Sequence, residues 1–314
     1  MSTPRLRIMG KTVGSTHERR ESFDVSSPIS LTVGLTSGSL SVSVHDEPTI
    51  DVILSAYGVN NEWVVEQAEV TFDLATATLT IQSQNQPLLQ VSSQHQPRFM
   101  AAFMSIPSAQ RKSAFVAGSS DVDVLVKVPA QSTIVARTVS GDVDVIGSIS
   151  SATLETTSGD IRLTGDISEL VARSKSGDVT VDSSQWMPQA LVATRSGDVR
   201  LNASVGVSEV TTSSGDVMVR CAESRAQVAS TSGDIDLGIG GWGDFAATSK
   251  SGDINVRVRT GLDIDLAANS RSGEIVNKIP LGDDGDGNES TQWSSIRLSS
   301  TSGDIRINRA VSGH

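Results

Sequence analysis

The residues of this 314-residue chain whose types and spacing could do chemistry are carboxylates, hydroxyls and tryptophans. Ser-Gly-Asp, with Glu once in place of Asp, recurs nine times between Ser140 and Asp304. The acidic members are Asp142, Asp160, Asp178, Asp198, Asp216, Asp234, Asp253, Glu274 and Asp304. If successive copies stacked at the ~4.8 Å spacing of paired strands, these carboxylates would form one column. Such a column could hold a row of calcium ions, or it could be structural. Two charges ~5 Å apart in water repel by about 0.8 kcal/mol before screening. A charge-assisted bond from a carboxylate to a turn N–H is worth about 1.5–3 kcal/mol. The turn bond wins, so a structural column needs no metal. Calcium solenoids of the toxin type also use a nine-residue Gly-Gly-rich repeat, which is absent here.

The other candidates are weaker. Asp284, Asp286 and Asn288 have the one-three-five spacing of an EF-hand loop, but Glu289 stands where that loop needs Gly and Ser295 where it needs Glu. The segment 283–290 therefore reads as a solvated acidic insertion. The four histidines (His17, His45, His95, His314) are scattered without metal-ligand spacing. The sequence has no Gly-x-Ser-x-Gly elbow, phosphate loop or dinucleotide fingerprint. These readings predict no catalytic residues, no metal site and no cofactor. The single cysteine, Cys221, excludes an intramolecular disulfide framework and a thiolate zinc site, and it reads as an inert residue just after a strand. Trp186, Trp242 and Trp293 remain as binding candidates, since exposed aromatic rings stack on sugars or anchor a protein partner; the competing reading folds each ring back over the core.

What must position these groups is a repeat. The Ser of the motif falls at 140, 158, 176, 196, 214, 232, 251, 272 and 302, with intervals near 18 residues. Three residues after it stands an aliphatic in every copy, from Val143 and Ile161 to Ile305. Five after it the residue is aliphatic in all copies but one, Asn277. The residue between varies freely (Asp144, Arg162, Thr180), which is the period-2 alternation of a half-buried strand. Upstream the alternation repeats: Ser or Thr two before, an apolar residue four before, and an apolar residue six before in all but Ser208. Each coil thus has two facing strands joined by a Ser-Gly-Asp corner, and all length variation falls at the opposite corner, where insertions are tolerated.

The corner glycines are expected to adopt positive φ, and the flanking Ser and Asp to bond turn backbone. The structural-turn set is Gly141 and Asp142, Gly159 and Asp160, Gly177 and Asp178, Gly197 and Asp198, Gly215 and Asp216, Gly233 and Asp234, Gly252 and Asp253, and Gly303 and Asp304. The Ser or Thr two positions upstream is expected to form an internal hydroxyl ladder. The three tryptophans all fall at the variable corner, two or three coils apart. The predicted fold is all-β: a single-domain β-solenoid, parallel β-helix-like, of about 18 residues per coil.

Composition agrees with many short strands. Aromatics are 4% of the chain and Gly numbers 27. The net charge of −11 argues against nucleic acid or an anionic membrane as partner. Only the start is basic, with Arg5, Arg7, Lys11, Arg19 and Arg20. No signal-peptide pattern and no 18-residue apolar stretch is visible, so the expectation is a cytoplasmic protein with no transmembrane segment.

The expected organisation is a basic, flexible N-terminus (1–19), an N-terminal β region with degenerate coils (20–118), a regular solenoid (119–309) and a tail (310–314). Within 20–118, the segment "EWVVEQAEVTFD" reads as strand and "TSGSLSVSV" (36–44) as a degenerate coil. An irregular insertion spans 85–118, and its Phe99, Met100, Phe103 and Met104 read as a lid on the solenoid or a sticky loop.

The Ser-Gly-Asp-aliphatic-x-aliphatic repeat, together with "VDVLVKVPAQSTIVARTVSGDVDV" (122–145), resembles the bacterial putative-adhesin family of β-strand-repeat proteins. The resemblance covers about 20–309. It implies a β-solenoid without an established catalytic site and places envelope association beside the cytoplasmic expectation.

The function expected from the sequence is non-enzymatic: a binding or scaffold protein, adhesin-like, presenting an extended surface to an unknown protein or glycan. The first alternative is a cytoplasmic scaffold that self-assembles as a homo-oligomer through open solenoid ends, the last coil being the one that ends in "SGDIRINRAVSGH". The second is a polysaccharide-active or calcium-binding solenoid.

Overall fold

The computed structural model describes residues 9–13, 16–57, 62–83, 121–279 and 293–310. The segments 85–118 and 283–290, with their expected lid and acidic insertion, lie outside the described residues.

The described residues open with β1 (Met9–Val13), β2 (Thr16–Asp24), β3 (Ser30–Ser37), β4 (Leu40–His45) and β5 (Thr49–Tyr57). A short helix α1 (Glu62–Gln67) leads to β6 (Glu69–Asp73) and β7 (Thr78–Gln82). Then follow β8 (Asp123–Pro129), β9 (Thr133–Ser140), β10 (Val143–Ile146), β11 (Ile149–Ser158), β12 (Ile161–Thr164) and β13 (Ile167–Ser176). Three long strands, β14 (Val179–Ser196), β15 (Val199–Ser214) and β16 (Val217–Ser232), run through the second corner with only register irregularities. The rest is β17 (Ile235–Ile239), β18 (Asp244–Ser251), β19 (Ile254–Val258), β20 (Ile264–Ser272), β21 (Ile275–Asn277), β22 (Ser294–Ser302) and β23 (Ile305–Arg309).

These strands form two parallel ladders joined by the Ser-Gly-Asp corners. In the ladder after the corners, Val143 pairs with Ile161 and Ile161 with Val179. In the ladder before them, Leu154 pairs with Ala172 and Ala172 with Val192. Alternation sends every second side chain inward. Val143, Val145, Ile161, Leu163, Val179 and Val181 are buried, whereas Asp144, Arg162 and Thr180 are not. The inward residues of both ladders form one aliphatic core running along the stack. Almost every inward residue is Val, Ile, Leu or Ala, because facing parallel strands so close leave little room for rings. Phe245 is the largest fully buried side chain among the described residues.

The order of the stack departs from the order of the chain at both ends. Strand β3 pairs with β7 on one side and with β9 on the other, and β4 likewise lies between β8 and β10. The coil at 30–45 is therefore flanked by coils made much later. At the opposite end β22 lies between β18 and β20, and β23 between β19 and β21. The last coil of the sequence is not the last coil of the stack. The terminal position belongs to β20 and β21, which corrects the expectation that "SGDIRINRAVSGH" closes the solenoid.

The two ends also differ in direction. At the N-terminal end β6 runs antiparallel to β7, and β1, β2, β5 and β8 form an antiparallel series. The expected strand over "EWVVEQ" is instead α1; Val65 packs into the core, and Arg19 of β2 donates to the carbonyls of Val65 (3.3 Å) and Ala68 (2.8 Å) near its end. A guanidinium here meets carbonyls that a helix terminus leaves without internal donors.

Candidate functional site: the two corners

The Ser-Gly-Asp corners stack as a column. Gly141 has φ 144° and Gly159 φ 148°, in the region that favours glycine. Close approach adds a second constraint. A Cβ on Gly159 would lie 2.2 Å from the carbonyl oxygen of Gly141, and one on Gly141 would lie 2.0 Å from that of Gly38. Backbone of one coil thus occupies the space a side chain would need in the next.

The carboxylates bond from coil to coil. The N–H of Asp160 donates to Oδ1 of Asp142 at 2.9 Å, and Asp178 donates to Asp160 in the same way. The series continues through Asp198, Asp216, Asp234 and Asp253. It then passes to Asp304, and from Asp304 to Glu274, following the stack and not the chain. Arginines offset the repulsion along the column: Arg200 Nη2 lies 2.7 Å from Asp198, and Arg306 bonds Asp253 at 2.8 Å and Asp304 at 2.7 Å. The Asp304 N–H, with Arg306 next in weight, holds the Asp253 carboxyl below the usual aspartate value.

The Ser and Thr residues upstream of the corners are buried, except Ser270 of the terminal coil, which is partly exposed. Most of their hydroxyls donate to corner glycine carbonyls and not to one another, as Thr194 does to Gly197 in its own coil (3.2 Å) and Ser300 to Gly252 in the adjacent one (3.2 Å), whereas the buried hydroxyls of Thr212 and Ser230 have no partner among the described residues. Ser208, the polar exception in the apolar pattern, is buried with its hydroxyl unpartnered.

The opposite, variable corner carries the tryptophans. Trp186 lies in β14 opposite Ser204, its ring over Gly206, and is 59% exposed. Trp242 precedes β18 and is 47% exposed; the Arg259 guanidinium stands 5.9 Å from its ring centroid, a cation–π contact. Trp293 precedes β22 and is 64% exposed. Asp244 pairs with Ser295, so Trp242 and Trp293, each two residues earlier, hold equivalent places in adjacent coils. The expected separation of two or three coils fails for this pair because β22 inserts beside β18. Val207, 38% exposed at the start of the returning segment of β15, extends the apolar edge toward Trp186.

Beside this edge a shallow groove of about 260 Å³ opens between β16, β18 and β22, lined by Arg225, Gln227, Asp244, Phe245 and Arg297. Among the described residues no group of three His, Cys, Asp or Glu could hold a metal ion. Cys221 sits within β16 and not just after a strand as expected, because the strand continues through the second corner; it is half-buried and donates to Oε1 of Glu223 at 3.2 Å. Burial, reinforced by that carboxylate, pushes its thiol pKa up. No helix among the described residues is long and apolar enough to cross a membrane.

Two parallel ladders wound around one aliphatic core, with antiparallel strands at one end, define a β-solenoid-like all-β protein. The sequence model of the Toastrack DUF4097 family matches residues 65–260, more than half of the chain, and the chain belongs to that family. A crystal structure of a putative adhesin from Parabacteroides merdae superposes with a TM-score of 0.50 at 7% identity, over 95% of this chain and 97% of that one. A putative adhesin from Bacteroides fragilis gives 0.45 at 14% identity, over 93% and 97%. A putative lipid binding protein from Parabacteroides distasonis gives 0.47 at 14% identity, over 94% and 97%. No curated protein matches the sequence.

Proposed function

We propose that this chain is a non-enzymatic, adhesin-like binding protein whose tryptophan-bearing edge engages a glycan of the bacterial envelope. The observation that carries the reading is the pair Trp242 and Trp293, exposed and in equivalent places in adjacent coils, with Trp186 on the same edge. Flat rings at the ~4.8 Å spacing of coils offer a sugar stacking surfaces without demanding one hydrogen-bond pattern. The neighbour described as a putative adhesin supports this reading through its fold.

In this reading the Ser-Gly-Asp corners are structural. Their carboxylates are engaged by backbone N–H groups and arginines, and the glycines are required by close packing. The regular solenoid of 119–309, with coils near 18 residues, is then a rigid mount for the variable edge. The reading is tested by sedimenting the purified chain with a bacterial envelope fraction before and after enzymatic removal of glycans. Wild type is expected to co-sediment and to be released when glycans are removed. The triple variant Trp186→Ala, Trp242→Ala, Trp293→Ala is expected to stay in solution with an unchanged far-UV spectrum. Equal sedimentation of variant and wild type would overturn the proposal.

A further inference from the structure

Among the described residues the terminal coil is bonded on one side only. β20 pairs with β22 and β21 with β23, and among the described residues neither strand has a second partner. Burial registers the difference. In β22 and β23 the inward residues Ile296, Leu298, Ile305 and Ile307 are at most 2% exposed. The corresponding Ile264, Leu266 and Ala268 of β20 are only partly buried, and Ile275 of β21 is 42% exposed. Nine residues of strand edge with a half-covered apolar row form a template for another strand.

The identity of that strand is indicated by charge. Outward-facing residues of β20 include Asp265 and Arg271, both exposed and both without an ion pair among the described residues. An antiparallel pair related by a two-fold axis through Ala268 places residue 265 opposite residue 271 of the other copy. It does so twice, once on each side of the axis. Directly opposite residues in such a pair point to the same face with Cβ atoms ~4.5–5.5 Å apart, close enough for an ion pair. The same register sets Leu266 opposite Ser270 and Ala268 opposite itself on the inward face. β20 is thus self-complementary in charge and in facing. Among the described residues the far edge of this ladder is β6, which runs the other way and carries Glu69 and Asp73, so another copy stacked there would not continue the parallel ladder.

We infer that the β20 edge is a homodimer interface, closed by antiparallel pairing with a second copy about Ala268. A two-fold contact of this type uses one patch twice and stops at two chains.

The test is charge exchange. Wild type, Asp265→Arg, Arg271→Asp and an equimolar mixture of the two variants are compared by light scattering and analytical ultracentrifugation over a wide concentration range, with far-UV spectra to verify folding. Wild type is expected to form a dimer. Each folded variant alone faces like charges, and its dissociation constant is expected to rise at least ~10-fold. The mixture, in which every opposed pair is again opposite in sign, is expected to recover dimers containing one copy of each. A strict monomer at every concentration would overturn the inference. Growth beyond a dimer, or wild-type association in the separate variants, would equally overturn it.

Discussion

Oδ1 of Asp253 accepts the backbone N–H of Asp304 at 2.8 Å, although 51 residues separate the two in the chain. Asp304 in turn accepts from Glu274, which precedes it by 30. The carboxylate column therefore records how coils neighbour one another, and it places the final coil inside the stack.

That placement makes truncation informative. Removing residues 294–314 takes away β22 and β23, the only strand partners of β20 and β21 among the described residues. Amide exchange in 264–277 is expected to accelerate towards unprotected rates while β14 and β15 stay protected. A stack in chain order would instead have left 264–277 protected against β18 and β19.

A glycine comparison tests the corner. Gly159→Ala puts a Cβ 2.2 Å from a backbone oxygen of the next coil and is expected to cost about 2–4 kcal/mol in urea unfolding. Gly261 has φ 84° with nothing within 4 Å of an added Cβ, so Gly261→Asn is expected to cost about 1 kcal/mol or less. Equal losses would mean that conformation alone, and not close approach, sets the requirement.

Two aspartates give opposite pH signatures. The Asp253 carboxyl is held low, first by the Asp304 N–H and then by Arg306. Its folded value lies below its unfolded one, so its stabilisation is present above the usual aspartate range and is lost as pH falls through the folded value. The Asp236 carboxyl is pushed up by burial, against the pull of Arg257. Its folded state holds the proton more readily, so its contribution falls as pH rises through and above the usual aspartate value. Urea midpoints from pH 2.5 to 7 are expected to show Asp253→Asn losing part of the wild-type decline in acid. Asp236→Asn is expected to steepen that decline. The Asp253 effect is expected to be small at neutral pH because the site is well exposed.

Cys221 is expected to react slowly with alkylating reagents at pH 8 and rapidly in urea. Burial and the Glu223 carboxylate both disfavour its thiolate. Glu223→Gln removes a nearby negative charge and is expected to speed labelling of the folded protein. An unchanged or slower rate would show that access, and not thiolate fraction, governs the reaction.

Much of this architecture is legible in the sequence because each strand after a corner is written in period two. In every coil but the terminal one, the aliphatics three and five residues after the Ser are the buried positions of β10, β12 and their successors. What pattern alone hides is neighbour identity, since every coil presents nearly the same inward and outward surfaces to the next. A trace of the true end is nevertheless present: 264–277 is the coil with Glu274 in place of Asp and Asn277 in place of an aliphatic. A coil with one partner has less need of both. Helix α1 escapes a pattern reading because six residues hold too few apolar positions to separate a helical period from a strand. The tryptophans were assignable to the variable corner, whereas their exposure and the adjacency of Trp242 and Trp293 depend on the inserted coil.

The interleaved ends also bear on synthesis. Coils from β9 to β19 can be laid down in the order in which they leave the ribosome, each on its predecessor. Strands β3 and β4 must wait for β9 and β10, about a hundred residues downstream, before both their edges are covered. At the other end β20 and β21 leave before β22 and β23, the strands on which they rest. A chain halted before Ser294 would therefore carry an unsupported coil and an uncovered β18 edge until β22 comes to lie between β18 and β20.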